Sequence, residues 1–114
     1  GVNLLIRPAM YDAYHEVIVA NKADAALTTE YTVTGPICES GDILAADRAL
    51  PELAAGDIIA VLDAGAYGFA MSSQYNSRPR CPELLLKGHE AALMRRGETI
   101  TDITAPMARP PWQR

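Results

Sequence analysis

Short apolar runs broken by Gly, Pro and polar turns make up most of this chain, and few of them reach helix length. "HEVIVA" (15–20) is a β-branched run, and "EYTVTGP" (30–36) alternates apolar with polar until Gly35-Pro36 stops it. Both patterns predict strands. The intervening "NKADAALTTE" reads as a loop, with "ADAAL" spaced for one helical turn at most. After the turn "CESGD", "ILAADRAL" (43–50) predicts a strand or a short extended arm, ended by Pro51. "DIIAVLDA" (57–64) predicts a buried strand that leaves through Gly65 and Gly68, which bracket Tyr67. "FAMSSQYN" (69–76) has the spacing of a short helix, stopped by Asn76-Ser77 and Pro79. "PELLLKGHEAALMRR" predicts a hairpin turning at Lys87-Gly88. "RGETITDITA" predicts a capped helix, and the prolines of "PMARPPWQR" leave a loose tail.

Roughly six short strands, spaced about 8–15 residues apart, favour an antiparallel barrel or sandwich over βαβ units. The fold predicted is therefore mainly β, with two short helices.

Composition narrows the function classes. At 114 residues the chain has one domain's worth of sequence, with 49% apolar and 21% charged residues. Its net charge of −4 is spread out, and the only adjacent basic pair is Arg95-Arg96. That argues against nucleic acid and against an anionic membrane surface as partner. No apolar run approaches the roughly 18 residues that span a bilayer. Two cysteines, Cys38 and Cys81, lie far apart, as expected for free thiols in a reducing cytoplasm. His15 and His89 have no ligand-like spacing, so no metal site is expected. The chain opens without Met, in an apolar run that reads as a continuation, so it is read as a piece of a longer protein.

Three stretches carry candidate chemistry. "TGPICESGD" (34–42) sets Cys38 beside Glu39 in a polar turn after a Gly-Pro stop, where a thiol is accessible rather than packed. The competing reading makes Cys38 a small apolar strand residue. "DAGAYGFAMSSQYN" (63–76) places Tyr67 between two glycines ahead of a helix, a setting for an anion such as phosphate. Its spacing matches neither a Walker loop nor a dinucleotide fingerprint, and a strand-to-helix corner with Tyr67 packed on the core is an equal alternative. "LIRPAMYDAYH" (5–15) offers Arg7, suited to a bidentate grip on a carboxylate, with Tyr11 four residues on. Alone, Arg7 would be a solvated arginine. Arg78 and Arg80 are read as a solvated loop rather than a basic rim, and Trp112 as a tail anchor.

Together, "LIRPAMYDAYH", "GPICESGD", "GAYGFAMSSQYNSRPR" and "RRGETITDI" occur in that order, and from Leu5 to about Ile103 the chain resembles the C-terminal domain of the diaminopimelate decarboxylase family. The resemblance implies an antiparallel/Greek-key β-barrel of the alanine racemase C-terminal-domain type with short helices, over residues 1–105, and a tail over 106–114. It implies pyridoxal 5'-phosphate as cofactor, its Schiff-base lysine lying in an N-terminal TIM-barrel domain that this chain lacks. Neither Lys22 nor Lys87 lies in a motif that could replace that lysine. It also implies a cytoplasmic homodimer with shared active sites and a small-molecule substrate, the isolated domain being inactive.

By the same resemblance, Arg7 and Tyr11 bind substrate, the arginine gripping its distal carboxylate. Cys38 is the proton donor, supplied to the neighbouring subunit's cofactor. Glu39 meets the distal ammonium, and Tyr67 touches the cofactor phosphate and lies near the substrate. "CES" favours diaminopimelate over the ornithine and arginine enzymes, which tend to follow the cysteine with Asp. Met10 departs from the more usual Leu, and Cys81 is a bystander. The alternatives are a decarboxylase for carboxynorspermidine, ornithine or arginine, or a non-catalytic β-barrel binding or dimerisation module.

Overall fold

The computed structural model describes residues 1–113. Six strands, three short α-helices and two 3₁₀ turns follow one another along them: α1 (Arg7–Tyr11), β1 (Val17–Val19), a 3₁₀ turn (Ala20–Lys22), β2 (Thr29–Thr34), β3 (Ile43–Leu50) and β4 (Ile59–Val61), then α2 (Gly68–Met71), a second turn (Tyr75–Ser77), β5 (Glu83–Lys87), β6 (Glu90–Arg95) and α3 (Ile100–Thr104). The fold is mainly β with short helices, as the apolar pattern predicts.

The chain divides into two compact units, Gly1–Ser72 and Ser73–Arg114. In the first, β1 pairs antiparallel with β4 (Ile18 opposite Ala60), and β2 with β3 (Tyr31 opposite Arg48). The β2–β3 register shifts on both sides of Val33, so a bulge twists this ribbon. The two ribbons share one core. Val17, Val19, Ala45 and Leu50 are buried together, with Tyr31, Val33, Leu53, Ile59 and Val61 packed around them. His15, itself buried, bonds the Leu62 carbonyl through Nδ1 at 3.0 Å, and Leu62 N–H donates to the Glu16 carbonyl at 2.8 Å. That pair of bonds ties the start of β1 to the end of β4.

In the second unit β5 and β6 form the expected hairpin, turning through Gly88 at φ 59°. α3 begins with a capping box, Thr99 and Asp102 each bonding the other's backbone N–H.

Several expectations need correction. α1 is not among the predicted elements; Pro8 sits in its first turn, where proline is favoured because its missing N–H costs nothing. Asp12 closes the helix in the left-handed region at φ 53°. The strand expected over 57–64 narrows to β4, because Asp63 turns left-handed at φ 53°. The helix expected over 69–76 ends at Met71, where the Ser72 hydroxyl donates to the Phe69 carbonyl at 2.5 Å and competes for the helical acceptor. Among the described residues the strands pair only two by two, as three two-stranded sheets rather than a closed barrel. Residues 106–113 of the expected tail carry no helix or strand, with Trp112 83% exposed; Arg114 lies outside the described residues.

Candidate active site

Three segments of the chain present the candidate residues. α1 carries Arg7 and Tyr11 one helical turn apart, at positions whose side chains share a face. Its neighbour in the fold is β3. Tyr67 stands at the N-terminal edge of α2 in the left-handed region, φ 60° and ψ 10°. Neither Gly65 nor Gly68, the glycines that bracket it, has positive φ; the tyrosine itself takes the turn. For a bulky aromatic this costs about 1–3 kcal/mol, a form of strain that gathers at functional sites.

The turn aims Tyr67 at α1. The Arg7 guanidinium carbon lies 5.4 Å from the Tyr67 ring centroid, within cation–π range. Tyr11 and Tyr67 stay about three-fifths exposed, at 60% and 61%, and Arg7 is half-buried. The structure thus brings together Arg7 and Tyr67, with Tyr11 on the same helix. Core packing of Tyr67, the alternative weighed from sequence, does not occur.

Cys38 and Glu39 occupy a separate loop between β2 and β3, both exposed. Glu39 is engaged locally, its Oε1 accepting the Gly41 N–H at 3.3 Å. The loop is closed at its base by Gly35 N–H donating to the Asp42 carbonyl at 2.9 Å, and by Asp42 N–H donating to the Glu39 carbonyl at 2.9 Å. The Asp42 carboxylate, only 3% exposed, accepts from Val2 N–H at 2.7 Å and from Ile37 N–H at 2.9 Å. Sequence reading saw Asp42 only as one of several polar turn residues. The long-range bond to Val2, forty positions away, leaves no local signature.

A cleft of about 540 Å³ runs between α1 and β3, lined in part by Pro8, Asp12, Tyr14, Gly41, Ile43 and Arg48. Arg48 stacks over the Tyr14 ring at 3.9 Å. The Tyr14 hydroxyl donates to Glu16 at 2.5 Å, and that bond to a carboxylate raises its pKa above the ordinary phenol value. Sequence reading missed this stack, because the two residues meet only through the packing of α1 on β3.

The two lysines lie in different units of the chain. Lys22 Nζ is committed to Asp57 Oδ2 at 2.6 Å and to the Glu52 carbonyl at 2.9 Å. The Lys22 ammonium, with the Ala54 amide and Asn21, lowers the Asp57 pKa from 3.8 to about 2. Lys87 lies in the hairpin of the second unit. There too, Arg80 is engaged by Glu98, whose carboxylate accepts from the Arg80 amide at 2.9 Å and the guanidinium at 3.4 Å. Among the described residues no group of three or more His, Cys, Asp or Glu side chains stands together as a metal site would. Nor is any helix long and apolar enough to cross a membrane.

Sequence and fold comparisons identify the class. The chain belongs to the family of pyridoxal-dependent decarboxylases, whose C-terminal sheet domain it matches over residues 1–65. Among individual relatives, it is 58% identical over 112 residues to the diaminopimelate decarboxylase of Archaeoglobus fulgidus, covering 98% of this chain and 27% of that protein. It is 45% identical to the Escherichia coli K12 diaminopimelate decarboxylase, covering 92% of this chain and 28% of the relative. A crystal structure of diaminopimelate decarboxylase from M. jannaschii in co-complex with L-lysine superposes with a TM-score of 0.88 at 37% identity, over 100% of this chain and 26% of that one. The chain therefore spans about a quarter of the length of the curated relatives it matches.

Proposed function

We propose that this chain is the C-terminal part of a diaminopimelate decarboxylase, which converts meso-2,6-diaminopimelate to L-lysine and CO2 in lysine biosynthesis. In that enzyme residues 1–105 close into the antiparallel, Greek-key β-barrel of the alanine racemase type, and 106–114 form its tail. A TIM-barrel domain supplies the lysine that holds pyridoxal 5'-phosphate, in keeping with the commitment of Lys22 to Asp57. The enzyme is a cytoplasmic homodimer.

When bound, the cofactor supplies the electron sink that lets CO2 depart. This chain supplies the orientation and the proton. Tyr67, exposed and left-handed at its backbone, would be the residue that holds the cofactor phosphate. Arg7, positioned against the Tyr67 ring, grips the distal carboxylate of the substrate with two parallel N–H bonds, while Tyr11 lines the same side. Glu39 leaves its bond to the Gly41 amide and accepts from the distal ammonium. A site with both charges rejects ornithine, which lacks the distal carboxylate. Cys38 delivers a proton to the carbon that has lost CO2.

The observation that carries this reading is the division of the candidate residues within one chain. Arg7 and Tyr67 form one couple, while Cys38 and Glu39 project from a different loop whose carboxylate is turned onto its own backbone. That is the distribution expected when each active site takes Arg7, Tyr11 and Tyr67 from one subunit and Cys38 and Glu39 from its partner.

Mixed dimers test it. Arg7→Ala and Cys38→Ala enzymes, each nearly inactive, are unfolded, mixed and refolded together. If the site is shared across the two-fold axis, random pairing restores one intact site in half of the dimers, about a quarter of wild-type activity. Activity no higher than in either variant alone would mean that Arg7 and Cys38 serve the site from the same subunit.

A further inference from the structure

We infer that Asp42 is a positioning residue: its buried carboxylate ties the segment leading into Arg7 and Tyr11 to the loop that presents Cys38 and Glu39. The inference rests on the decarboxylase reading for the roles of those four residues, but the tether is visible in the structure without it. One oxygen accepts from Val2 N–H at 2.7 Å and the other from Ile37 N–H at 2.9 Å. Val2 lies five residues before Arg7, and Ile37 lies immediately before Cys38. The Asp42 backbone also closes the loop on both sides, through Gly35 and through Glu39. A single residue therefore fixes both ends of the Cys38–Glu39 turn and the approach to α1.

The surroundings are built for this carboxylate. It is 3% exposed, and two glycines back onto it. A Cβ placed on Gly1 would lie 2.6 Å from Oδ2, and one placed on Gly35 would collide with the carboxylate and with the Gly1 backbone. A side chain at either glycine would thus displace the tether. Ile37, Val2 and Leu5 are themselves buried, so the amides that Asp42 accepts from belong to anchored residues rather than to free loop. Backbone N–H bonds to a carboxylate are charge-assisted and short, the kind that hold geometry most firmly.

Neutralising the group is asymmetric in its effect. Asn at position 42 has the same shape and one accepting oxygen, but its amide nitrogen would confront a second N–H, donor against donor. One buried amide is then unsatisfied, and the segment carrying it must shift. Proton delivery depends on the distance from thiol to carbon, so a displaced loop slows turnover even when Cys38 is chemically unchanged.

The test is a double-mutant cycle in the pyridoxal-phosphate holoenzyme that carries this domain. Asp42→Asn is expected to lower kcat on diaminopimelate by about tenfold or more, since misplacement of a reacting group by about 1 Å can cost still more. In a Cys38→Ala background the same substitution should cost less than about twofold, because residues that act through one another are not additive. Equal losses in both backgrounds would reduce Asp42 to general stability and overturn its positioning role. Hydrogen exchange by mass spectrometry provides a readout that needs no activity. Peptides covering 1–6 and 35–43 should both exchange faster in Asp42→Asn, while the 83–95 hairpin is unchanged. Acceleration confined to one of the two peptides would overturn the tether. Gly35→Ala, which keeps the charge but crowds the carboxylate out of place, should reproduce the exchange pattern if Asp42→Asn does not fold. A parent enzyme that fails to release CO2 from diaminopimelate would count against the functional reading alone, since the exchange comparison would still decide the tether.

Discussion

In the first unit seven apolar side chains from Val2 to Leu50 are buried; in the second, β6 is exposed along its whole length, and Leu84, Leu85, Leu86, Leu93 and Met94 are all 58–70% exposed. Two kinds of support follow from that contrast. Residues 1–72 rest on hydrophobic burial, with Asp42 as a polar staple inside it. The second unit is held by hairpin pairing and by ionic contacts: Glu98 with Arg80, Arg95 with Glu83, and Arg96 bidentate to Asp102 at 2.7 Å. Arg96 and the Thr99 cap together depress the Asp102 pKa well below the usual carboxylate range. All five candidate site residues lie on the first kind of support. A site needs positions fixed to fractions of an ångström, and packed interiors hold positions better than solvated ion pairs do.

The sharpest way to break this contrast is a pair of leucine truncations in the intact enzyme. Leu50→Ala, at 2% exposure, should cost about 2–5 kcal/mol of stability through lost burial and a residual cavity. Leu86→Ala, at 70% exposure, should fall within about 0.5 kcal/mol of wild type. Denaturant melts of both variants measure the difference, and comparable losses would mean that the hairpin is as deeply packed in the enzyme as β3.

A pair of carboxylates sharpens it further. Glu39→Gln should raise KM for diaminopimelate about tenfold, the worth of one charge-assisted bond, with Tm unchanged. Glu98→Gln should do the reverse, lowering Tm while leaving KM alone, because Glu98 accepts from Arg80 and Gln74 within its own unit. Steady-state kinetics beside thermal melts separate the two. A loss on every amino acid offered to Glu39→Gln would remove its selecting role.

The smallest effect concerns acid. The Asp57 pKa is depressed from 3.8 to about 2, first by its bond to Lys22. A depressed carboxylate contributes stability that is complete above its unfolded pKa and disappears as pH falls through the folded one. The Lys22–Asp57 clamp should therefore lose its contribution between about pH 4 and pH 2. Asp57→Asn should flatten that part of the stability curve and leave it unchanged near neutrality in slope. An unaltered acid limb would show that the clamp adds nothing.

How much of this was legible in the sequence depended on the range of the interactions involved. The β5–β6 hairpin and the capped start of α3 are local devices, and Lys87-Gly88 and the run "RGETITDITA" announced them. The exposure of Cys38 and Glu39 was readable for the same reason, from a Gly-Pro stop followed by a polar turn. α1 was obscured by its brevity and by a proline that starts helices as readily as it breaks them. That Tyr67 rather than a glycine takes the left-handed turn, that Arg7 meets it across sixty positions of chain, and that Asp42 reaches Val2 are all consequences of tertiary packing. Residue patterns named the reactive groups; only the fold showed what holds them.

The most direct test of the account is CO2 release by the intact enzyme with pyridoxal phosphate, offered meso-diaminopimelate, ornithine and arginine in turn, with the 114-residue chain as control. The account predicts turnover of diaminopimelate alone and none by the isolated chain. Preference for ornithine or arginine would contradict the roles given to Arg7 and Glu39, and turnover by the isolated chain would contradict the shared site.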